Sequence, residues 1–139
     1  MKAYVDSSVA VRSLLREPGA IEDWSQWELV IASALLRVET LRAIDRIRVR
    51  GGLEGPELAC TMEALRLLLV RIHEVGIGPA VLDRAAASFP TVVSVLDSIH
   101  IATALLWIEE QSEPLLFVTH DFEQAIAART CGLEVKVSP

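Results

Sequence analysis

The chain has 139 residues, 52% of them apolar, with a formal net charge of −6 and a mean hydropathy of +0.40. That length suits a single domain over residues 1–139, one that buries roughly two-thirds of the surface its unfolded chain exposes. The acidic balance argues against charge-driven, sequence-blind nucleic-acid binding, and no apolar run approaches the length of a membrane span.

KAYVD reads as a first strand ending at Asp6, and SSVAVRSLLRE continues at helical spacing until Pro18-Gly19 stops it. AIEDWSQW predicts a short second helix and ELVIA a second strand. Ser33 is placed to cap a helix from Ala34 to about Arg50, closed by Gly51-Gly52. PELACTMEALRLLLVRIHEV, residues 56–75, carries one long amphipathic pattern that Gly76 and Gly78 close. PAVLDRAAASF, opened by Pro79, predicts another helix, and Pro90 separates it from the helix of VLDSIHIATALL. PLLFVT is a strand, DFEQAIAARTCG a helix with Gly132 past its end, and LEVKV the last strand.

Alternating strands and helices predict an α/β fold: three layers, α/β/α, around a mainly parallel central sheet. The consecutive helices after Ser33 predict an inserted helical arm at residues 54–87, for which the sequence suggests no role. Asp6 and Arg12 interrupt the apolar start of the chain, against a signal peptide, so the expected location is cytoplasmic. Cys60 and Cys131 form no metal-type spacing and read as reduced thiols. The high mean hydropathy predicts apolar surface covered by a partner, with a homodimer the simplest case.

Four acids carry the chemistry. Parallel sheets place their sites at the carboxyl ends of strands, where Asp6 and Asp121 fall. Glu39 shares a helix stripe with Leu36, Ala43 and Ile47. Asp97 heads a stripe of Ile101, Ala104 and Ile108. Each has a plain alternative: Asp6 and Asp121 as N-caps, Glu39 as a surface partner of Arg42, Asp97 as the acid of a capping box with Ser94. Together they need more explanation. Two carboxylates about 4 Å apart repel by roughly 4 kcal/mol at an effective dielectric of 20, so a cluster demands protonation or a bridging cation. Oxygen ligands suit Mg²⁺ or Mn²⁺, and such a site suits metal-assisted phosphodiester chemistry. Arg37, Arg42 and Arg46, near Glu39 along their helix, read either as a solvated face or as a track for backbone phosphates. His100 follows Asp97 by three residues, but imidazole suits zinc better than magnesium, so a packing or hydrogen-bonding role is expected.

YVDSS, RVETLRA, LDSIHIATAL and VTHD resemble, in order and spacing, the four acidic motifs of PIN-domain ribonucleases, and the short chain is similar to the VapC-type toxins among them. The resemblance implies a PIN-like fold and a Mg²⁺- or Mn²⁺-dependent endoribonuclease whose catalytic, metal-holding acids are Asp6, Glu39, Asp97 and Asp121. It places Ser8 and Thr119 at small hydroxyl positions that support the site. It also implies an RNA substrate, a cognate antitoxin protein and hydrolysis leaving a 5′-phosphate. Two further readings stay open: a catalytically silent PIN-fold binding module, and a receiver-like phosphoacceptor domain. The second needs a lysine at a late strand end, and Lys2 and Lys136 are the only lysines.

Overall fold

The computed structural model describes residues 1–138. Strands β1 (Lys2–Val5), β2 (Leu29–Ser33), β3 (Ile72–Val75), β4 (Leu116–Thr119) and β5 (Glu134–Val137) form one sheet in the order β3-β2-β1-β4-β5, every neighbouring pair parallel. Helices α1 (Ser7–Leu14), α2 (Leu35–Val49), α3 (Gly55–Arg71), α4 (Pro79–Ala86), α5 (Val95–Gln111) and α6 (Phe122–Thr130) cover its two faces. This is the three-layer α/β arrangement expected from the alternation of elements.

The period of two along each strand sorts side chains between two cores. Ala3, Val5, Val30, Ala32 and Val118 face α1, α2 and α3 with Val9, Leu36, Ile44 and Leu65. Tyr4, Ile31 and Phe117 face α5 and α6 with Ile101, Ala104 and Ala128. Tyr4 pairs in register with both Ile31 and Phe117, and its ring stacks on Phe117 at 5.1 Å between centroids.

Two elements differ from expectation. The amphipathic pattern over 56–75 predicts one helix, yet α3 ends at Arg71 and Ile72 turns extended to start β3. Leu65, Leu68 and Ile72 keep helical spacing, so periodicity does not mark the change. Pairing does: Ile72 to Val75 match Val30 to Ser33 along the open edge of β2, satisfying backbone groups a longer helix would leave bare. The predicted arm is therefore a crossover that adds an edge strand to the sheet. The stretch AIEDWSQW holds only a 3₁₀ turn, Trp24–Gln26. Asp23 caps it, and Trp24 and Trp27 both turn into the core.

Candidate active site

The chain runs from β1 outward through β2 to β3, then returns to add β4 on the other side of β1. The crevice beyond the carboxyl ends of β1 and β4 is thus the point where strand order reverses, the usual ligand site of an open parallel sheet. Asp6 leaves β1 into this crevice as the N-cap of α1. Its Oδ1 accepts from the Ser8 hydroxyl at 2.6 Å and the Val9 N–H at 3.4 Å, and its Oδ2 from the Thr119 hydroxyl at 3.0 Å. The two hydroxyls also fasten β4: Ser8 Oγ accepts from the His120 N–H and Thr119 Oγ1 from the Asp121 N–H, both at 2.9 Å. Asp6 is 4% exposed. Burial raises its pKa, against the lowering effect of Ser8, the field of His100, Thr119 and the Val9 N–H.

The opposite wall comes from α2 and α5. His100 is buried and bridges two groups, with Nδ1 2.7 Å from the Tyr4 hydroxyl and Nε2 2.6 Å from Glu39 Oε1. Burial holds the Tyr4 phenol well above its usual pKa, so it keeps its proton. Nε2 faces a carboxylate oxygen, which can only accept, so Nε2 donates to Glu39. The Ser33 N–H donates in turn to the Tyr4 oxygen at 3.2 Å. Glu39 is therefore aimed from the core by a chain of hydrogen bonds, and both imidazole nitrogens are engaged, in keeping with the hydrogen-bonding role expected for His100.

Asp97 lies three residues past Ser94, the N-cap of α5, whose hydroxyl accepts from the Asp97 N–H at 3.2 Å. The cap is present, as the sequence pattern indicated. Burial raises the Asp97 pKa, and the charges of Asp121 and Glu39 raise it further against the effects of Ser94 and His100. Asp121 is the N-cap of α6, its Oδ1 accepting from the Gln124 N–H at 3.0 Å. The side chain of Gln124 reaches α5, where Nε2 donates to Asp97 Oδ1 at 3.0 Å.

All four predicted acids line one cleft of about 680 Å³, with Ser8, Arg12, Arg42, Arg46, His100, His120 and Gln124. Arg37 is elsewhere. Its guanidinium is held at 2.6 Å by Glu74 of β3, beyond the cleft. Arg42 also meets Asp45 at 3.3 Å. Arg12, which sequence reasoning missed, lies beside His120 with Nη1 3.1 Å from Nδ1. Its position depends on α1 packing at the end of β4, a contact without local signature. Gln124 was missed for a different reason. Asp121-x-x-Gln124 is a capping-box pattern, which directs the amide back to the Asp121 N–H. Thr119 occupies that N–H instead.

Among the described residues, no three carboxylate, imidazole or thiol groups stand close enough to grip one ion. The donor set nevertheless fits a hard cation. It is oxygen-rich, Asp6 and Asp97 are both destabilised as anions, and no lysine or arginine among the described residues forms an ion pair with Asp6, Asp97 or Asp121.

A family model described as PIN domain matches residues 3–129. No curated protein matches the chain in sequence. Similar solved structures include a toxin–antitoxin complex from Klebsiella pneumoniae, 14% identical with a TM-score of 0.67, covering 99% of this chain and 98% of that one. Another is VapBC2 from Rickettsia felis bound to a promoter DNA fragment, 11% identical with a TM-score of 0.68 and complete coverage of both chains. A third is FitAB bound to the IR36 DNA fragment, 18% identical with a TM-score of 0.63, covering 99% and 95%.

Proposed function

The chain belongs to the PIN domain family, and on that premise we propose that it is a Mg²⁺- or Mn²⁺-dependent endoribonuclease, the VapC-type toxin of a toxin–antitoxin pair. The observation that carries the reading is the convergence of Asp6, Glu39, Asp97 and Asp121, from four separate elements, on the cleft at the β1–β4 crossover. Asp6 and Asp97 would hold the principal ion, with Glu39 and Asp121 completing or extending its shell. Bound there, a divalent ion supplies an activated water and offsets charge on the scissile phosphate.

The remaining work falls to the chain itself. Ser8 and Thr119 fix both oxygens of Asp6 by hydrogen bonds, so its lone pairs have a set direction. His100 does the same for Glu39. Arg12, Arg42 and Arg46 form the basic rim of the cleft and would bind backbone phosphates on either side of the cut. Arg37, committed to Glu74, has no part in that track. The lining residues include no lysine, which counts against a phosphoacceptor site.

A protein antitoxin and a second copy of the chain are the proposed partners. One similar structure is described as a toxin–antitoxin complex, and Met62, Leu67 and Val70 expose apolar side chains on α3. No helix among the described residues is long and apolar enough to cross a membrane, and a cytoplasmic site of action is proposed with the toxin role. The test uses partner-free protein and RNA. Mg²⁺ should support cleavage to 5′-phosphate ends, EDTA should stop it, and added Mg²⁺ should restore it. Cleavage that survives EDTA, or none with either metal, rejects the proposal.

A further inference from the structure

Gln124 stands in the first turn of α6 and is 1% exposed. It touches two of the four acids at once. Its backbone N–H donates to Asp121 Oδ1 and its side-chain Nε2 to Asp97 Oδ1, each at 3.0 Å. Its Oε1 is buried and bonded to nothing among the described residues. A buried acceptor left bare weakens the fold, and a methionine of similar length would fill the space without one. The amide is free to reach α5 only because Thr119 Oγ1 holds the Asp121 N–H that a capping glutamine normally takes.

Asp97 and Asp121 both line the cleft, and two carboxylates that share a cation need a fixed aim. A lysine or arginine there would neutralise them and compete with a cation. A neutral amide orients an oxygen and leaves its charge available. We propose that Gln124 is a positioning residue whose side-chain amide ties Asp97 on α5 to the start of α6, where Asp121 sits, for a shared divalent cation, and that the fold retains it against stability. The inference rests on the reading of the cleft as a cation site.

The test is Gln124→Met in the full, partner-free, RNA-free chain, with Gln124→Leu as a second apolar variant that lacks sulfur. Mn²⁺ binding is followed by titration calorimetry and thermal unfolding is followed in EDTA. Removing an outer-shell partner typically weakens metal binding by about 10- to 100-fold. The expected result is at least a tenfold weaker Mn²⁺ affinity together with an unfolding midpoint in EDTA equal to or above wild type. A merely structural glutamine would move the midpoint down. Such a drop, or Mn²⁺ affinity within twofold of wild type, overturns the clamp. A wild type that takes up no Mn²⁺ overturns the cation site itself and the clamp with it.

Discussion

Asp97→Asn separates the two roles that Asp97 combines. The Ser94 hydroxyl accepts from the backbone N–H of residue 97, so the cap survives the substitution. The amide oxygen of asparagine can still accept from Gln124 Nε2. What is lost is the charge, which burial, Asp121 and Glu39 all disfavour. In a half-exposed cleft each like-charge neighbour is worth about 0.5 kcal/mol after solvent screening. Metal-free stability should therefore rise by about 1 kcal/mol, or roughly 2–4 °C in midpoint for a chain of this size. Cleavage should fall by about 10²–10³, the scale set by removing one electrostatic contact to the reacting charge. Ser94→Ala is the converse control, losing about 1 kcal/mol of cap with little change in cleavage. Thermal unfolding in EDTA and initial rates on one RNA measure both quantities. An Asp97→Asn variant that is less stable yet fully active refutes the reasoning, because the carboxylate would then be a structural cap.

Arg12→Ala and Arg46→Ala should each weaken RNA binding and reduce the slope of log K against log salt by about 0.7–1, whereas Arg37→Ala should leave the slope unchanged. Equal slopes for all three would remove the phosphate track. Tyr4→Phe removes the hydroxyl that meets His100 Nδ1 and accepts from the Ser33 N–H, so it should cost about 1–3 kcal/mol of stability in denaturant titration and lower cleavage through Glu39. Unchanged stability would show that the buried chain of hydrogen bonds is dispensable. Asp6 and Asp97 both have folded pKa values raised above the ordinary 3.8. Between 3.8 and those values the native state holds protons the unfolded chain has released, so metal-free stability should fall as pH rises through that window. Asp97→Asn should flatten the fall; a wild type that gains stability relative to the variant across the window contradicts it.

β1, β2 and β4 were legible because each is a short, largely buried apolar run between turn residues. β3 was not, since Ile72 continues the spacing of Leu65 and Leu68 and only the open edge of β2 makes it a strand. The four acids were legible by position: two follow strands, and two head or interrupt apolar helix stripes. Their convergence on one cleft was not, because it depends on how α2, α5 and α6 pack around the ends of β1 and β4. Arg37 and Arg42 look equivalent along α2, yet Glu74 of β3 draws Arg37 away from the cleft. That contact depends on an edge strand the local pattern concealed. Gln124 was hidden by the opposite effect. Its spacing from Asp121 satisfies a local motif completely, and only the Thr119 hydroxyl redirects it to Asp97.

The central claim is that the four carboxylates act as one cation-holding unit, and a double-mutant cycle on Asp6 and Asp97 tests it most directly. The measured quantity is kcat/KM for one RNA with saturating Mg²⁺, for wild type, Asp6→Asn, Asp97→Asn and the double variant. Groups that act as a unit lose nearly everything at the first removal. The double variant should be no more than a few-fold worse than the poorer single one. Losses that multiply, or a single variant with wild-type activity, would contradict it.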